Sequence, residues 1–172
     1  MKVTLKDGSV REYAQPMAVI DIAKDISEGL ARNVCAATVN GEGVDIRTVI
    51  DKDSTLVLHT FDDQEGKAAF WHTTSHILAQ AVKRLFPETK LAIGPSIAEG
   101  FYYDFDRPDS FTADDLTALE AEMKKIVKEN LALERFTLPR DEAIKFMQEK
   151  EEPYKVELIE DLPEDAEISF YR

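Results

Sequence analysis

The sequence contains little cysteine, no long apolar run and comparatively few positive charges. Its single cysteine, Cys35, can form neither an internal disulfide nor a CxxC metal site. No apolar run approaches the roughly 18–20 residues that a membrane span requires. The first residues, MKVTLK, alternate apolar residues with lysine or threonine and do not open the apolar stretch of a signal peptide. The sequence therefore predicts a soluble protein of a reducing cytoplasm with no membrane partner.

Negative charge dominates, with 34 Asp and Glu against 21 Lys and Arg and a formal net charge of −13. Most of the excess follows residue 102, where 20 acidic residues face 10 basic ones. Such a surface repels phosphate groups at long range, which disfavours strong nonspecific binding of nucleic acid. Any contact with RNA is expected to be local, or to come from another part of a longer protein.

The first 62 residues have the pattern of a small β-grasp domain, in which a sheet packs on one helix. Short β-prone runs alternate with turn-forming pairs such as Asp-Gly and Asn-Gly. Apolar residues at helical spacing, followed by a glycine, predict one helix between the strands. The expected elements are a hairpin around Asp7-Gly8, a helix over 16–26 that stops at Gly29, an Asn40-Gly41 turn, and strands over 35–39 and 55–59.

A second domain is expected over 63–172, because the polar segment 62–66 ends in glycine and separates two apolar patterns. Domains 1–62 and 63–172 together predict an α+β fold class. The second domain opens with a helix over 67–86, whose apolar side, from Phe70 to Leu85, is expected to be buried. The further expected elements are a strand over 100–105, a helix behind a capping box at 112–115, an extended segment over 131–138, short helices over 141–149 and 154–161, and a strand over 168–172.

Two histidines, His72 and His76, are spaced to project from the same side of helix 67–86. They differ by about 40° around the helix axis and by one turn along it, so both can reach one small ligand or water. Imidazole suits a metal ion, or a water that must lose a proton near neutral pH. The alternative is that both histidines are solvent-exposed residues on a polar face of the helix and belong to no site. A metal site needs further ligands, and both His59 and Cys35 fall in the first domain.

The segment behind this helix combines turn residues with three adjacent aromatic residues. Gly94 and Pro95 predict a tight loop, and alternation along the next strand places Tyr103 on the opposite face from Tyr102. These rings either fill the core or contribute one tyrosine to a site. Lys155, near the start of a short helix, has the same two interpretations: a solvated residue or a site residue.

These motifs resemble a known family. The sequence HTTSHILAQAVKRLFPETKLAIGPSIAEGFYYDFD, with EPYKVELIEDLP further on, is similar to the editing domain of threonyl-tRNA synthetases. The first domain, which ends in TLVLHTFDD, resembles their TGS domain, a β-grasp module also found in certain GTPases and alarmone synthetases. The resemblance spans the whole chain in the right order. It implies an N-terminal fragment with a complete TGS domain and a truncated editing domain, because a CxxxH segment is expected after ISFYR.

The resemblance implies post-transfer editing, the hydrolysis of mischarged seryl-tRNA(Thr). Serine lacks one methyl group of threonine, and a pocket gains only about 1–3 kcal/mol of discrimination from such a difference, so a second, hydrolytic site is expected. The implied roles are positioning of the seryl group and water, charge compensation, and packing at the terminal adenosine. The positions that match the family's motifs are His72, His76 and Lys155 for catalysis, and Tyr103, Gly94 and Pro95 for substrate binding.

The resemblance also implies cofactors and partners. No cofactor is expected in this chain, whereas ATP, Mg and Zn are expected in a catalytic domain outside it. A metal at His72 and His76 is expected only if further ligands follow in a longer chain. The implied partner is tRNA(Thr), bound through the full-length protein and only weakly by this chain. The full-length protein is expected to be a homodimer through other domains.

Two alternative functions are open at this point. The first is a docking or RNA-binding module of the TGS type without enzymatic activity, in which the histidines have no special role. The second is a freestanding factor that hydrolyses mischarged tRNA without any synthetase domain. A CxxxH segment beside an aspartate in a longer reading frame would favour editing over docking, and the length of the frame would separate the freestanding factor from a synthetase.

Overall fold

A computed structural model describes residues 1–171 of the chain. The predicted end of the last strand, at Arg172, lies outside the described residues. The chain divides into two compact units. The first consists of residues 1–73 and 96–101, and the second of residues 74–95 and the chain from Tyr102 onward. The domain boundary predicted between residues 62 and 63 stays a prediction.

The elements are numbered in chain order. The strands are β1 (Lys2–Leu5), β2 (Val10–Glu12), β3 (Met17–Ala18), β4 (Val34–Val39), β5 (Glu42–Val44), β6 (Val49–Ile50), β7 (Ser54–Thr60), β8 (Lys90–Leu91), β9 (Ser96–Ile97), β10 (Gly100–Phe101), β11 (Phe105–Asp106), β12 (Arg135–Leu138) and β13 (Ile168–Tyr171). The helices are α1 (Val19–Ile26), α2 (Glu28–Asn33), α3 (Gln64–Leu85), α4 (Ala113–Glu129), α5 (Arg140–Glu149) and α6 (Pro153–Glu160). The molecule is α+β, as predicted.

The first unit is built on a five-stranded sheet in the order β2-β1-β7-β4-β5. Strands β1 and β7 pair in parallel, and the other neighbours pair antiparallel. This order places the hairpins β1-β2 and β4-β5 on either side of β7, which is the β-grasp arrangement. Helix α1 contributes to the core beneath the sheet, whose fully buried members are Val3, Val19, Ile22, Ala37, Ile50 and Leu56.

The predicted helix stop at Gly29 is wrong. Helix α1 ends at Ile26, because Ser27 adopts an extended backbone and its Oγ accepts a hydrogen bond from the backbone N–H of Leu30 at 3.4 Å. A serine in this position begins a helix by satisfying one of its unpaired N–H groups. Gly29 therefore lies inside the following helix, α2.

The polar segment predicted to separate the domains is a hydrogen-bonded turn that leads into α3. The carboxylate of Asp63 accepts from the backbone N–H of Thr60 at 2.9 Å, and the N–H of Asp63 donates to the Thr60 carbonyl at 3.0 Å. Gly66 is buried in the first turns of α3 against the same carbonyl. A side chain at Gly66 would place its Cβ 1.8 Å from the oxygen of Thr60. Only glycine allows this close approach.

The second unit contains two apolar cores. In the first, α3 packs against α4 through Ala81, Val82, Leu119 and Ile126. In the second, α5, α6 and β13 meet at Ala143, Met147, Ile159 and Ile168. The predicted capping box is present at the start of α4, where Thr112 and Asp115 bond each other's backbone N–H groups.

Two further predictions in this region need correction. The strand expected over 100–105 is divided into β10, which pairs with β9, and β11, which pairs with β8. The buried residues of α3 also differ from the predicted apolar side. Phe70 and Leu85 are 46% and 38% exposed, whereas Ser75 and Ala79 are buried. Periodicity located the helix correctly, but the elements that cover it decide which part of its surface is buried.

None of the helices within residues 1–171 is both long and apolar enough to cross a membrane.

Substituting alanine at two helical glycines should have opposite effects on stability. Gly66→Ala should lower the free energy of unfolding by about 1–3 kcal/mol, because the new Cβ meets a backbone carbonyl that cannot rotate away. Gly29→Ala should raise it by about 0.5–1 kcal/mol, because its Cβ meets only the Oγ of Ser27, at 3.5 Å, and alanine restricts the unfolded chain. Urea unfolding followed at the amide NMR signals of the β-grasp sheet measures both changes. Effects of the same sign at the two positions would contradict this account.

Candidate functional site

The two histidines lie on the exposed surface of α3. His72 and His76 are both exposed, and as residues i and i+4 of one helix they project from the same side, one turn apart. The division between the two units falls within α3, after Thr73, so His72 belongs to the first unit and His76 to the second. Neither histidine is needed to fill an apolar core.

Lys155 is held by polar groups rather than being free in solvent. It lies in the first turn of α6 and is only partly exposed. Its Nζ donates to the carbonyl of Ala92 at 2.7 Å and to the hydroxyl of Tyr103 at 3.4 Å. The same nitrogen lies 5.7 Å from the centroid of the Tyr103 ring. The interpretation of Lys155 as a solvated residue is therefore wrong.

Gly94 is in close contact with the ring of Tyr103. A Cβ at residue 94 would lie 2.1 Å from Cδ2 of that ring. The other support of the tyrosine is Phe105, whose ring stacks on it with centroids 4.7 Å apart and planes inclined by 14°. The backbone continues this contact, because the N–H of Asp104 donates to the carbonyl of Ile93 at 2.8 Å. The structure therefore brings Gly94, Tyr103 and Lys155 together.

Burial changes the acid–base properties of both polar side chains in this group. It lowers the pKa of the Lys155 ammonium, and the negative charge of Glu152 partly opposes that change. Burial, and then the same carboxylate, raise the pKa of the Tyr103 phenol. Tyr103 is thus held as a neutral hydrogen-bonding group. Lys155 has given up part of its hydration, so the charge of its ammonium acts more strongly on any ligand beside it.

The sequence did not single out two charged residues of this region. Glu152 is 5% exposed, and its carboxylate contacts Nζ of Lys83 at 2.8 Å and accepts from the N–H of Leu91 at 2.8 Å. Lys83 also donates to the carbonyls of Pro87 and Thr89, both at 3.0 Å. In sequence, Glu152 is one of 20 acidic residues after position 102, and no pattern separates it from them.

Metal ligation requires several donor side chains grouped around one point. Within residues 1–171 no three His, Cys, Asp or Glu side chains are grouped so that they could hold a metal ion. The third histidine is engaged in the β-grasp sheet, where Nε2 of the buried His59 lies 2.8 Å from Oγ1 of Thr38. His72 and His76 thus supply two ligand positions, and a metal there would need others.

The remaining predicted site residue is Pro95, which is exposed next to Gly94. The group defined by Gly94, Tyr103 and Lys155, with Ala92 and Glu152 beside it, is hereafter called the lysine cluster. That the histidines and Pro95 act together with the lysine cluster stays a prediction.

Comparison with known proteins shows which proteins this chain resembles. A family model described as the TGS domain matches residues 1–60. Over all 172 residues the chain is 63% identical to a threonine–tRNA ligase of Clostridium botulinum, 61% to one of Acetivibrio thermocellus and 60% to one of Clostridioides difficile. The chain begins with a TGS domain and is homologous to threonine–tRNA ligases. The resemblance to threonyl-tRNA synthetases and to their TGS domain is thereby confirmed, and the editing domain stays a prediction.

The similarity covers the whole of this chain but only part of each relative. The chain corresponds to 26% of the Clostridium botulinum protein and 27% of the other two. It therefore spans about a quarter of the length of these threonine–tRNA ligases. The aligned segment runs through all 172 residues and so includes the region of the lysine cluster.

A double-mutant cycle should detect the contact between Gly94 and Tyr103. Gly94→Ala should lower the free energy of unfolding by about 1–3 kcal/mol, because its Cβ forces the ring off Phe105. In a Tyr103→Ala background the same substitution should cost at least 1 kcal/mol less, roughly the coupling expected of residues in contact. Gly43→Ala, whose Cβ meets nothing within 4 Å, is the matched control. Equal costs of Gly94→Ala in the two backgrounds would show that the ring does not occupy this position.

Proposed function

We propose that this protein is the editing region of a threonine–tRNA ligase and that it contributes to hydrolysis of seryl-tRNA(Thr). The observation on which the proposal chiefly rests is the lysine cluster, in which a partly desolvated ammonium lies beside a tyrosine hydroxyl and a glycine. The similarity to threonine–tRNA ligases over all 172 residues supports the choice of substrate class. Ligation of threonine to tRNA(Thr) with ATP is the activity we propose for the full-length protein.

The chemistry of ester hydrolysis matches these side chains. Water adds to the carbonyl carbon of the seryl ester, and the bond from that carbon to the ribose oxygen breaks as the oxygen takes up a proton. An imidazole can accept the proton of the attacking water and return it to the leaving oxygen, and we assign this work to His76 and His72. The products are serine and free tRNA.

The lysine cluster is suited to the negatively charged parts of such a substrate. An ammonium has three N–H donors, and within the described chain two of those of Lys155 meet Ala92 and Tyr103. We assign the third to an oxygen of the substrate, either a phosphate or the oxyanion of the tetrahedral intermediate. Tyr103 presents a ring and a neutral hydroxyl, which suit the terminal adenosine. Gly94 leaves room for that ring.

The same proposal extends to partners and cofactors. We propose tRNA(Thr) as the partner of the full-length protein and homodimerisation through parts outside this chain. ATP, Mg and Zn would act in the catalytic domain of that protein. The side chains of residues 1–171 are assigned no cofactor in this scheme, and hydrolysis needs only water as co-reactant.

Hydrolysis of seryl-tRNA(Thr) by a chimera tests the proposed function. In the chimera, residues 1–172 replace the corresponding part of the Acetivibrio thermocellus threonine–tRNA ligase, which is 61% identical over this length. His72→Ala, His76→Ala and Lys155→Ala should each lower the deacylation rate by about 10²-fold or more, because each removes a proton-transfer or charge-stabilising group. Aminoacylation with threonine should continue in all three.

Lys145→Ala is the matched control, because its side chain is 77% exposed and lies outside the lysine cluster. The rate should be unchanged in this variant. If the histidine and lysine variants deacylate seryl-tRNA(Thr) as fast as their parent, the docking-module alternative is preferred. If the 172-residue chain alone is as fast as the chimera, the alternative of a freestanding editing factor is preferred.

Binding of tRNA by the 172-residue chain should be weak and salt-dependent. The net charge of −13 repels the phosphate backbone, so the few basic contacts should be screened easily. Fluorescence anisotropy with labelled tRNA(Thr) should give no submicromolar affinity at physiological salt, and affinity should fall further as salt is raised. Submicromolar binding under those conditions would contradict this picture of the surface.

A further inference from the structure

The first turn of α6 binds two consecutive residues of the segment that precedes Gly94. Glu152, directly before the helix, accepts a hydrogen bond from the N–H of Leu91 at 2.8 Å. Lys155, three residues later, donates to the carbonyl of Ala92 at 2.7 Å. A carboxylate and an ammonium from one helical turn thus hold a donor and an acceptor that are neighbours in the chain.

We propose that Glu152 is a positioning residue of the hydrolytic site. The negative charge of Glu152 holds the Lys155 ammonium and the segment ending at Gly94 in one fixed arrangement. The proposal rests on the editing function proposed above. It assigns Glu152 no contact with substrate. Its effect is exerted through Lys155, and Lys83 is its counterion.

Because Glu152 is buried, its carboxylate needs partners that replace the water it has lost. A carboxylate that is 5% exposed is strongly disfavoured unless charged partners and hydrogen bonds replace water. Lys83 provides the first partner at 2.8 Å, and the Leu91 N–H provides the second. Lys83 is itself fixed, because it also donates to the carbonyls of Pro87 and Thr89. The carboxylate is therefore held from two sides.

Glu152 acts electrostatically on two lysines. It forms an ion pair with Lys83, and its charge also favours the ammonium form of Lys155 against the effect of burial. Tyr103 also contacts Lys155, and because its pKa is raised above the ordinary value its hydroxyl is neutral near pH 7. One carboxylate is thus shared by two ammonium groups, so removing either the carboxylate or Lys83 should change the charge balance at Lys155.

A positioning role based on charge makes different predictions from a role based on shape. Glu152→Gln keeps the shape and the acceptor for Leu91 but removes the charge. Glu152→Asp keeps the charge but shortens the side chain by one methylene. If charge is decisive, the Asp variant resembles the parent and the Gln variant does not. If only shape matters, the order is reversed.

The first measurement is the pKa of Lys155 in the 172-residue chain, from ¹³Cε and ¹⁵Nζ shifts followed against pH. The Lys155 signal is assigned with Lys155→Arg. Glu152→Gln should lower the measured pKa of Lys155, because an opposite charge is lost. Lys83→Met should raise it, because the carboxylate is then no longer shared. Glu160→Gln, which removes an exposed charge at the end of the same helix, is the control and should leave it unchanged.

Loss of a buried charge could unfold the Gln variant, and Lys83→Met then provides a test of opposite sign. The amide spectrum of each variant reports whether the second unit is folded. A Lys155 pKa that does not move in the folded variants, or that moves equally in Glu160→Gln, would overturn the proposal. A larger change in Glu152→Asp than in Glu152→Gln would overturn it as well, in favour of a shape-based role.

The second measurement is deacylation of seryl-tRNA(Thr) by the chimera described above. Glu152→Gln should lower kcat about tenfold with little change in KM, and Glu152→Asp should recover most of that loss. If the parent chimera does not hydrolyse seryl-tRNA(Thr), the proposed function fails, and the pKa measurement still decides whether Glu152 controls Lys155. If the parent is active and depends on Lys155, but Glu152→Gln is as fast as the parent, only the positioning role fails.

Discussion

The attachment of α6 to the Leu91–Ala92 segment determines the arrangement of the candidate site. Glu152, directly before α6, and Lys155, in its first turn, hydrogen-bond to consecutive residues of one extended segment. The backbone of that segment then pairs with the chain around Asp104, next to Tyr103. The positions of the lysine, the tyrosine ring and Gly94 therefore all follow from one turn of helix.

The electrostatics of this region follow from the burial of opposite charges together. A buried carboxylate is tolerated because Lys83 and a backbone N–H replace its hydration. Lys155 is in a different position, because its closest partners are a carbonyl and a phenol, both uncharged. Its ammonium is therefore less completely compensated than that of Lys83. A cation whose charge is only partly neutralised by its neighbours can bind a negatively charged substrate favourably.

Close approach at glycine is a second constraint, and it appears once in each unit. Gly66 allows the start of α3 to lie against the Thr60 carbonyl, which fixes the direction in which the chain leaves the β-grasp sheet. Gly94 allows the ring of Tyr103 to lie against the backbone. Neither Gly66 nor Gly94 has a positive φ. Both positions need glycine because a side chain there would not fit.

The sequence by itself determined the β-grasp domain, the helices of residues 1–171 other than α2, the capping box of α4 and the similarity to threonine–tRNA ligases. These features depend on residues that are close in the chain, such as the Asn40-Gly41 turn or the Thr112 cap, and on motifs that are contiguous. The tertiary structure decided what depends on distant partners. It divided the expected strand over 100–105, because β10 and β11 pair with different strands. It also selected Glu152 and Lys83 from many similar charged residues, because only folding brings residues 83, 91 and 152 together.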